Sequence, residues 1–432
     1  MNDFPYDAVL FDLDGTLCNA EQGILSAIEY AMDTLKQPVP EGVDVRDMIG
    51  PPLFESFVKI MGFSPERARQ AKDLYRVHFK REGMYRYTVY PHIRSILQCL
   101  RQGGIYTALA TSKPTEIARE ILDHFGLSHY FDKIVGVIDG EVVPGKPELV
   151  RSALPEKYKR AAMVGDRSYD MVGAVAAGIE AIGAGYGHGT DEELRDAGAT
   201  YIVPDTESLR VLLCQGADVP KGFFLTVEGL DGSGKTTQVE LLEKNLQAYG
   251  FSVLRTREPG GCKISEDIRR IILDTDNLEM GPACEALLYA AARAQHVYQV
   301  IRPAVERGML VLCDRFVDSS IAYQGSGREL GMDAVQQINA IAVGDMQPDA
   351  TVYLAIDHKA GLKRRYSASL PDRLEMEGLE FHERVQKAYE KLIHDHKRRF
   401  LIVNAEQEIE KVAQDALAVV LARLEPEMKQ EG

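Results

Sequence analysis

FFLTVEGLDGSGKTT, residues Phe223–Thr237, decides how the second half of this 432-residue chain folds. Gly229, Gly234, Lys235 and Thr236 satisfy the spacing G-x-x-x-x-G-K-[ST] of a phosphate-binding loop, with Asp231, Gly232, Ser233 and Thr237 completing it. The apolar run Phe223–Val227 reads as a buried strand. Leu242, Leu246 and Tyr249 then fall on one helical face that stops at Gly250. Between such a strand and helix, glycines let the backbone close around a triphosphate, the N–H groups point inward, and the helix start adds positive potential. Lys235 is then placed to reach the β and γ phosphates of ATP, and the Thr236 hydroxyl to meet Mg²⁺. An ordinary glycine-rich βα turn is the competing reading; strand, loop and helix all in place favour the nucleotide.

Outward from this loop, the bulk composition is that of a globular protein, 45% hydrophobic and 27% charged, with length for two or three domains. A formal net charge of −15 argues against a general nucleic-acid binder and against an anionic membrane surface, since both select a basic face. It leaves nucleotides open, because they need only a local basic pocket. The cysteines Cys18, Cys99, Cys214, Cys262, Cys284 and Cys313 show neither a C-x-x-C pair nor metal-ligand spacing, which points to thiols in a reducing compartment. No signal-peptide pattern opens the chain, and no apolar run approaches the ~20 residues that span a bilayer. A cytoplasmic location is expected.

From Asp7 to about Leu213 short apolar strands alternate with amphipathic helices, with strand candidates Ala8–Leu13, Ile105–Thr111, Ala161–Gly165, Ala181–Gly185 and Tyr201–Val203. Between about Asn19 and Tyr87 the β signal gives way to polar helices with breaks such as Gly50–Pro52, the pattern of an inserted helical cap. QGADVPKG, Gln215–Gly222, reads as a linker. The alternation then restarts with Phe223–Val227, Ser252–Thr256, Met309–Cys313, Thr351–Ile356 and Phe400–Val403. Two α/β domains with doubly wound parallel sheets are expected, over residues 1–214 and 223–432, each with its site at the carboxyl edge.

In the first of these, Asp12 and Asp14 leave a strand end two residues apart, so both can face one Mg²⁺ and one phosphoryl group. One carboxylate can attack phosphorus while the other handles protons. Asp-x-Asp-Gly is common in loops, so the rest of the set matters. Thr111 ends a strand in LATSKP, Lys146 lies in PGKPE, and Asp166 and Asp170 follow the strand Ala161–Val164. Four strand ends in this order resemble the haloacid dehalogenase-like hydrolase superfamily, and the helical insert matches its cap. IGPPL, ATSKP and YGHGTDEEL look most like its phosphoglycolate phosphatase and 5′-nucleotidase-like branch. The resemblance implies Asp12 as nucleophile, Asp14 as general acid and base, and Thr111 and Lys146 on the transferring phosphoryl group. It implies Mg²⁺ held by Asp12, Asp166 and the Asp14 backbone carbonyl, with Asp170 in support.

In the second, four segments narrow what a phosphate-binding loop alone leaves open. TREPGG (Thr256–Gly261) offers Arg257 beside a tight turn. EALLYAAAR (Glu285–Arg293) puts Tyr289 and Arg293 one turn apart on a helix. Asp314-Arg315-Phe316 ends a strand, and SSIAYQGSGR (Ser319–Arg328) supplies hydroxyl, amide and guanidinium groups. Singly, each has an ordinary packing or salt-bridge reading. Together, in this order from Gly222 to about Leu424, they resemble thymidylate kinase, which moves the γ-phosphoryl group of ATP to dTMP. The resemblance implies Arg257 and Arg315 on the acceptor phosphate, Tyr289 stacked on thymine, and Arg293 and Gln324 on the base edge or sugar. Asp231 would meet the sugar 3′ hydroxyl, and Asp314 with Thr236 would place Mg²⁺. Gly232 stands where one subgroup carries a catalytic arginine. KRRYSASLPDR (Lys363–Arg373) offers Arg364, Arg365 and Arg373 in a basic lid over about 363–376 instead. The resemblance also implies a homodimer through the kinase half. A phosphatase acting on an unrelated phosphate such as phosphoglycolate or pyrophosphate, and a non-catalytic regulatory module, remain the alternatives for the first half.

Overall fold

The computed structural model describes residues 4–49, 53–138, 144–217, 221–366 and 377–430. The chain forms two compact units that divide near residue 218. Both are α/β.

The N-terminal unit is built on six parallel strands, β1 (Ala8–Phe11), β2 (Tyr106–Pro114), β3 (Lys133–Val137), β4 (Ala161–Gly165), β5 (Glu180–Ala184) and β6 (Tyr201–Val203). Their order in the sheet is β3-β2-β1-β4-β5-β6. β1 reads AVLF because both of its faces are covered. Val9 and Phe11 join the core beneath Ile93, Leu97 and Ile121, whereas Ala8 and Leu10 join the one containing Val150, Met171 and Ala174. This division of alternate residues is the period-2 geometry of a strand. Strand β3 was not expected: KIVGV is an edge strand, mostly half-exposed, with a lysine and a glycine that mute the apolar signal.

After β1 a two-residue strand, Cys18–Asn19, pairs antiparallel with Thr88–Val89 and frames the helical insert. The insert contains helices Glu21–Thr34, Leu53–Lys59 and Pro65–Arg81. The last of these starts as its sequence asks, with Pro65 in the first turn and the Ser64 hydroxyl accepting from the Arg67 N–H at 3.2 Å. Ala27, Ile28 and Ala31 on the first helix and Ala68 and Ala71 on the third are all buried. Gly50–Pro52 lies outside the described residues.

The C-terminal unit has five parallel strands, β7 (Phe223–Gly229), β8 (Val253–Arg257), β9 (Leu310–Asp314), β10 (Ala350–Ala355) and β11 (Phe400–Asn404). Their order is β8-β9-β7-β10-β11, and the central β7 is buried along its whole length. In each sheet the first strand sits between one that precedes and one that follows the reversal of winding. Its carboxyl end is therefore a topological switch point, where open α/β sheets hold their ligands. Asp12 follows β1, and the phosphate-binding loop follows β7.

Helix His358–Tyr366 leads into the expected lid. Most of that lid, Arg373 with it, lies outside the described residues, as does the side chain of Arg365.

Candidate active sites

At the switch point of the first sheet, Asp12, Asp166 and Asp170 are all buried, and one carboxylate oxygen of each lies within 4.8 Å of the others. Helix Lys146–Ala153 delivers one ammonium among them, Lys146 Nζ being 2.7 Å from Asp12 Oδ1 and 2.5 Å from Asp170 Oδ1. One cation does not neutralise three acids. Burial, then the Asp12 and Asp170 charges, push Asp166 up to about 8. Burial also raises Asp12, to about 6, against the pull of Lys146. Lys146 is held above its ordinary range because Asp12 and Asp170 outweigh the effect of its burial.

Asp166 Oδ2 accepts the His188 N–H at 2.8 Å, while Oδ1 is buried without a partner. A buried, under-compensated set of hard oxygens with an orphaned lone pair fits a divalent cation such as Mg²⁺, with Asp12, Asp166 and Asp170 to hold it. Gly15 permits this closeness: at φ +78° it lies so near that a Cβ would come within 2.0 Å of Asp166 Oδ2.

Thr111, on β2, is buried and accepts the Lys113 N–H at 3.3 Å. The Asp14 backbone carbonyl was the group expected on the metal, and its carboxyl the acid and base; the carboxyl stands outside the three-acid cluster and pairs with Lys113, Oδ2 to Nζ 2.8 Å. The nearby ammonium is the physical reason. Lys113 lies inside the ATSKP segment but had no motif role to single it out.

At the switch point of the second sheet, a cavity of about 520 Å³ gathers residues scattered over almost a hundred positions. Asp231, Gly232, Gly234, Lys235, Thr236 and Thr237 line it from the loop, and Arg257, Tyr289, Arg293, Asp314, Arg315 and Gln324 line it from the other motifs. Lys235 Nζ is buried and donates to the carbonyls of Gly229 at 3.1 Å and Leu230 at 2.8 Å. Burial, then the Arg315 charge, depress it to about 8 against the pull of Asp231, Asp314 and Glu228. The Thr236 hydroxyl donates to Asp314 Oδ2 at 3.4 Å, and Asp314 Oδ1 is buried without a partner. This pair also fits Mg²⁺.

Arg315 occupies a left-handed backbone position, φ +66°, with its N–H on the Val227 carbonyl at 3.0 Å. Its guanidinium pairs with Asp231, donates to Ser319 Oγ at 3.1 Å and lies 5.0 Å over the Tyr323 ring. Tyr323 closes the set by donating to Asp231 Oδ2 at 2.8 Å. Arg293 is fully buried and donates to Glu258 at 2.6 Å, Ser320 at 3.1 Å and the Phe316 carbonyl at 3.0 Å. Glu258 also pairs with His296 at 3.0 Å. Gln324 donates to the buried Glu285 at 2.9 Å, and Arg257 pairs with Glu266 at 3.0 Å.

Two motif positions have plain structural accounts. Phe316 is fully buried, edge-on to Phe224 at 4.9 Å, so it packs in the core. At Gly232 a Cβ would come within 1.9 Å of the Gly361 carbonyl, so the position is closed to an arginine. Of the expected lid cations, Arg364 donates to the Ala405 carbonyl at 2.8 Å and is not among the residues lining the cavity.

Several contributors escaped the sequence reading. Glu228 is buried in β7 and accepts from Phe316 N at 2.7 Å, Ser319 Oγ at 2.6 Å and Tyr389 OH at 2.8 Å. Its signal was available: a lone acid in the apolar run FFLTVEG. Glu258 sits beside Arg257 in TREPGG, and Tyr323 sits in SSIAYQGSGR. Arg269, which lines the cavity and donates to the Pro259 carbonyl at 2.8 Å, carried no signal beyond its charge.

Comparison with known proteins follows the same division. The family model for thymidylate kinase matches residues 227–416, and that for haloacid dehalogenase-like hydrolase matches residues 9–184. The chain is 48% identical over 206 residues to the thymidylate kinase of Pelobacter propionicus, covering 46% of this chain and 94% of that one. It is 49% identical over 203 residues to that of Lactobacillus delbrueckii subsp. bulgaricus, covering 46% and 96%. Among solved structures, a predicted phosphatase from Clostridium acetobutylicum is 39% identical with a TM-score of 0.43, covering 48% of this chain and 96% of that one. A haloacid dehalogenase-like family hydrolase from Streptococcus pneumoniae is 30% identical with a TM-score of 0.42, covering 48% and 96%.

Proposed function

The chain belongs to the thymidylate kinase family through its C-terminal half and to the haloacid dehalogenase-like hydrolases through its N-terminal half, and on that premise we propose how its residues divide the work. In the kinase half, an oxygen of the dTMP phosphate attacks the γ-phosphorus of ATP, and ADP leaves. The negative charge that spreads over the transferring group is met by Lys235 and Arg315. Arg257 grips the acceptor phosphate, Tyr289 stacks on thymine, Arg293 and Gln324 meet the base edge or sugar, and Asp231 meets the 3′ hydroxyl. The observation that carries this is the gathering of these groups and the loop in one cavity. The lid arginines Arg364, Arg365 and Arg373 complete the charge when the lid covers ATP.

In the phosphatase half, an Asp12 carboxylate oxygen attacks the phosphorus of a monoester, and the ester oxygen leaves with a proton from Asp14. Asp14 then takes a proton from the water that attacks the aspartyl-phosphate, releasing phosphate and restoring Asp12. Thr111 and Lys146 hold the phosphoryl oxygens. The observation that carries it is Lys146 Nζ at 2.7 Å from Asp12, with three buried acids around one ammonium. Mg²⁺, when held by Asp12, Asp166 and Asp170 and by Thr236 with Asp314, supplies positive charge against the phosphoryl oxygens.

The substrate of the phosphatase half is proposed to be a nucleoside monophosphate. If both halves acted on dTMP they would compete for it, one giving dTDP and the other thymidine and phosphate, so the specificities are taken to differ, and the N-terminal half removes pyrimidine monophosphates that the kinase half is not to activate. The test is phosphate release from dTMP, dUMP, dCMP, UMP, dGMP and phosphoglycolate with Mg²⁺ and no ATP. Release confined to nucleotides other than dTMP supports the reading. Release from phosphoglycolate alone replaces the substrate class, and fast release from dTMP removes the pool-cleaning role. Asp12→Asn is expected to abolish release in that assay and to leave dTDP formation from ATP and dTMP, measured separately, intact; loss of both would sink the independence of the two sites. A homodimer through the kinase half is part of the proposal, and its check is the mass in solution.

A further inference from the structure

Lys113 is the one charged side chain bound to Asp14 by an ion pair among the described residues. It stands on β2 two residues beyond Thr111, whose hydroxyl accepts its backbone N–H at 3.3 Å. Its ammonium is 2.8 Å from Asp14 Oδ2 and donates to Tyr87 OH at 3.1 Å. It lies 4.9 Å over the Phe79 ring and 5.5 Å over the Tyr87 ring, and its side chain is only 11% exposed. Phe79 belongs to helix Pro65–Arg81 of the insert, and Tyr87 to the chain that returns from it. Both are buried, and Tyr75 stacks on Phe79 at 5.3 Å.

A cation held between two aromatic faces and a hydroxyl has little freedom, so it fixes whatever carboxylate it binds. That carboxylate is the group assigned above to proton transfer. Oδ2 is spent on Lys113, whereas Oδ1 is buried without a hydrogen-bond partner. We propose that Lys113 is a positioning residue for the phosphatase reaction: anchored by Phe79 and Tyr87 of the insert, it holds Asp14 by Oδ2 so that Oδ1 is turned to the departing ester oxygen. Orientation of this kind matters only where the leaving group needs a proton. An alkoxide leaves poorly without one, and a nitrophenolate leaves well. The inference rests on the phosphatase reading of Asp12 and Asp14.

The experiment compares kcat/KM, which reports events up to departure of the leaving group, for p-nitrophenyl phosphate and for an alkyl phosphate ester that the wild-type chain hydrolyses. Lys113→Met, which keeps the stem and removes the charge, is expected to lose about tenfold or more with the alkyl ester and about twofold or less with the nitrophenyl ester. Lys113→Arg is expected to recover most of the alkyl-ester rate. Retained nitrophenyl activity also shows that the site has folded; if Lys113→Met does not fold, Lys113→Gln reads the same ratio. Equal losses on both substrates would overturn the positioning role and leave the phosphatase intact. No hydrolysis of either ester by the wild-type chain would overturn the phosphatase reading, and this inference with it.

Discussion

Gly232 and Gly361 interlock backbone to backbone: a Cβ on Gly232 would come within 1.9 Å of the Gly361 carbonyl, and one on Gly361 within 2.5 Å of the Asp231 carbonyl. The phosphate-binding loop and the helix that leads to the lid are thus in van der Waals contact with no side chain between them. Gly232 also holds φ +76°, where an L-residue is strained.

Gly232→Ala is therefore expected to lower the unfolding free energy by about 1–2 kcal/mol from backbone strain alone, and to raise the KM for ATP as the loop is pushed from the helix. Thermal unfolding and kinase kinetics on one preparation check both. An unchanged melting temperature would mean that Gly232 does not hold this left-handed conformation in solution.

Arg315 is the hub of the kinase cavity, bound to Asp231 and Ser319 and stacked over Tyr323. Arg315→Met is expected to cut kcat/KM for dTMP by about 100-fold or more, the scale of removing one preorganised charge from a transition state. Arg315→Lys is expected to recover little, because a single ammonium cannot replace the planar fork. Phosphate release by the other half is the internal control and should not move.

Asp166 carries the orphaned oxygen of the three-acid cluster. Asp166→Asn is expected to raise the Mg²⁺ concentration for half-maximal phosphate release by about 10–100-fold, in the range seen when support for a metal site is removed. Chelation of Mg²⁺ should stop release by the wild-type chain, and restored Mg²⁺ should return it. A variant with an unchanged Mg²⁺ requirement would remove Asp166 from the cation site.

Asp318 is buried and bound at 2.6 and 2.7 Å by both terminal nitrogens of Arg399. Arg399→Met strands that carboxylate and is expected to destabilise the chain by about 3–5 kcal/mol in urea unfolding. The double variant Asp318→Asn with Arg399→Met should recover part of the loss, since no charge is then left uncompensated.

The local chemistry was legible in the sequence, and the reason is physical. A phosphate-binding loop needs glycines at fixed spacing, and a strand end needs its two aspartates two apart, because adjacent backbone positions do the work. The stretch from about Asn19 to Tyr87 was readable as a helical insert from the loss of β signal, and the five strands of the kinase half from their apolar runs. β3, a short edge strand with one buried residue, had too little pattern to detect, as had the two-residue strands Cys18–Asn19 and Thr88–Val89.

Partnership was not legible, because it joins residues that are far apart in the chain. That Lys146 serves Asp12 and Asp170, that Asp14 is held by Lys113, and that Arg293 is tied to Glu258 follow from which strand ends the sheet order brings together. The sequence by itself determined two α/β halves, two phosphate-handling kits and the residue types in each. Only the tertiary structure decided which charge faces which. Ion pairing depends on distances of a few ångströms between elements, and strand order rather than spacing along the chain sets those distances.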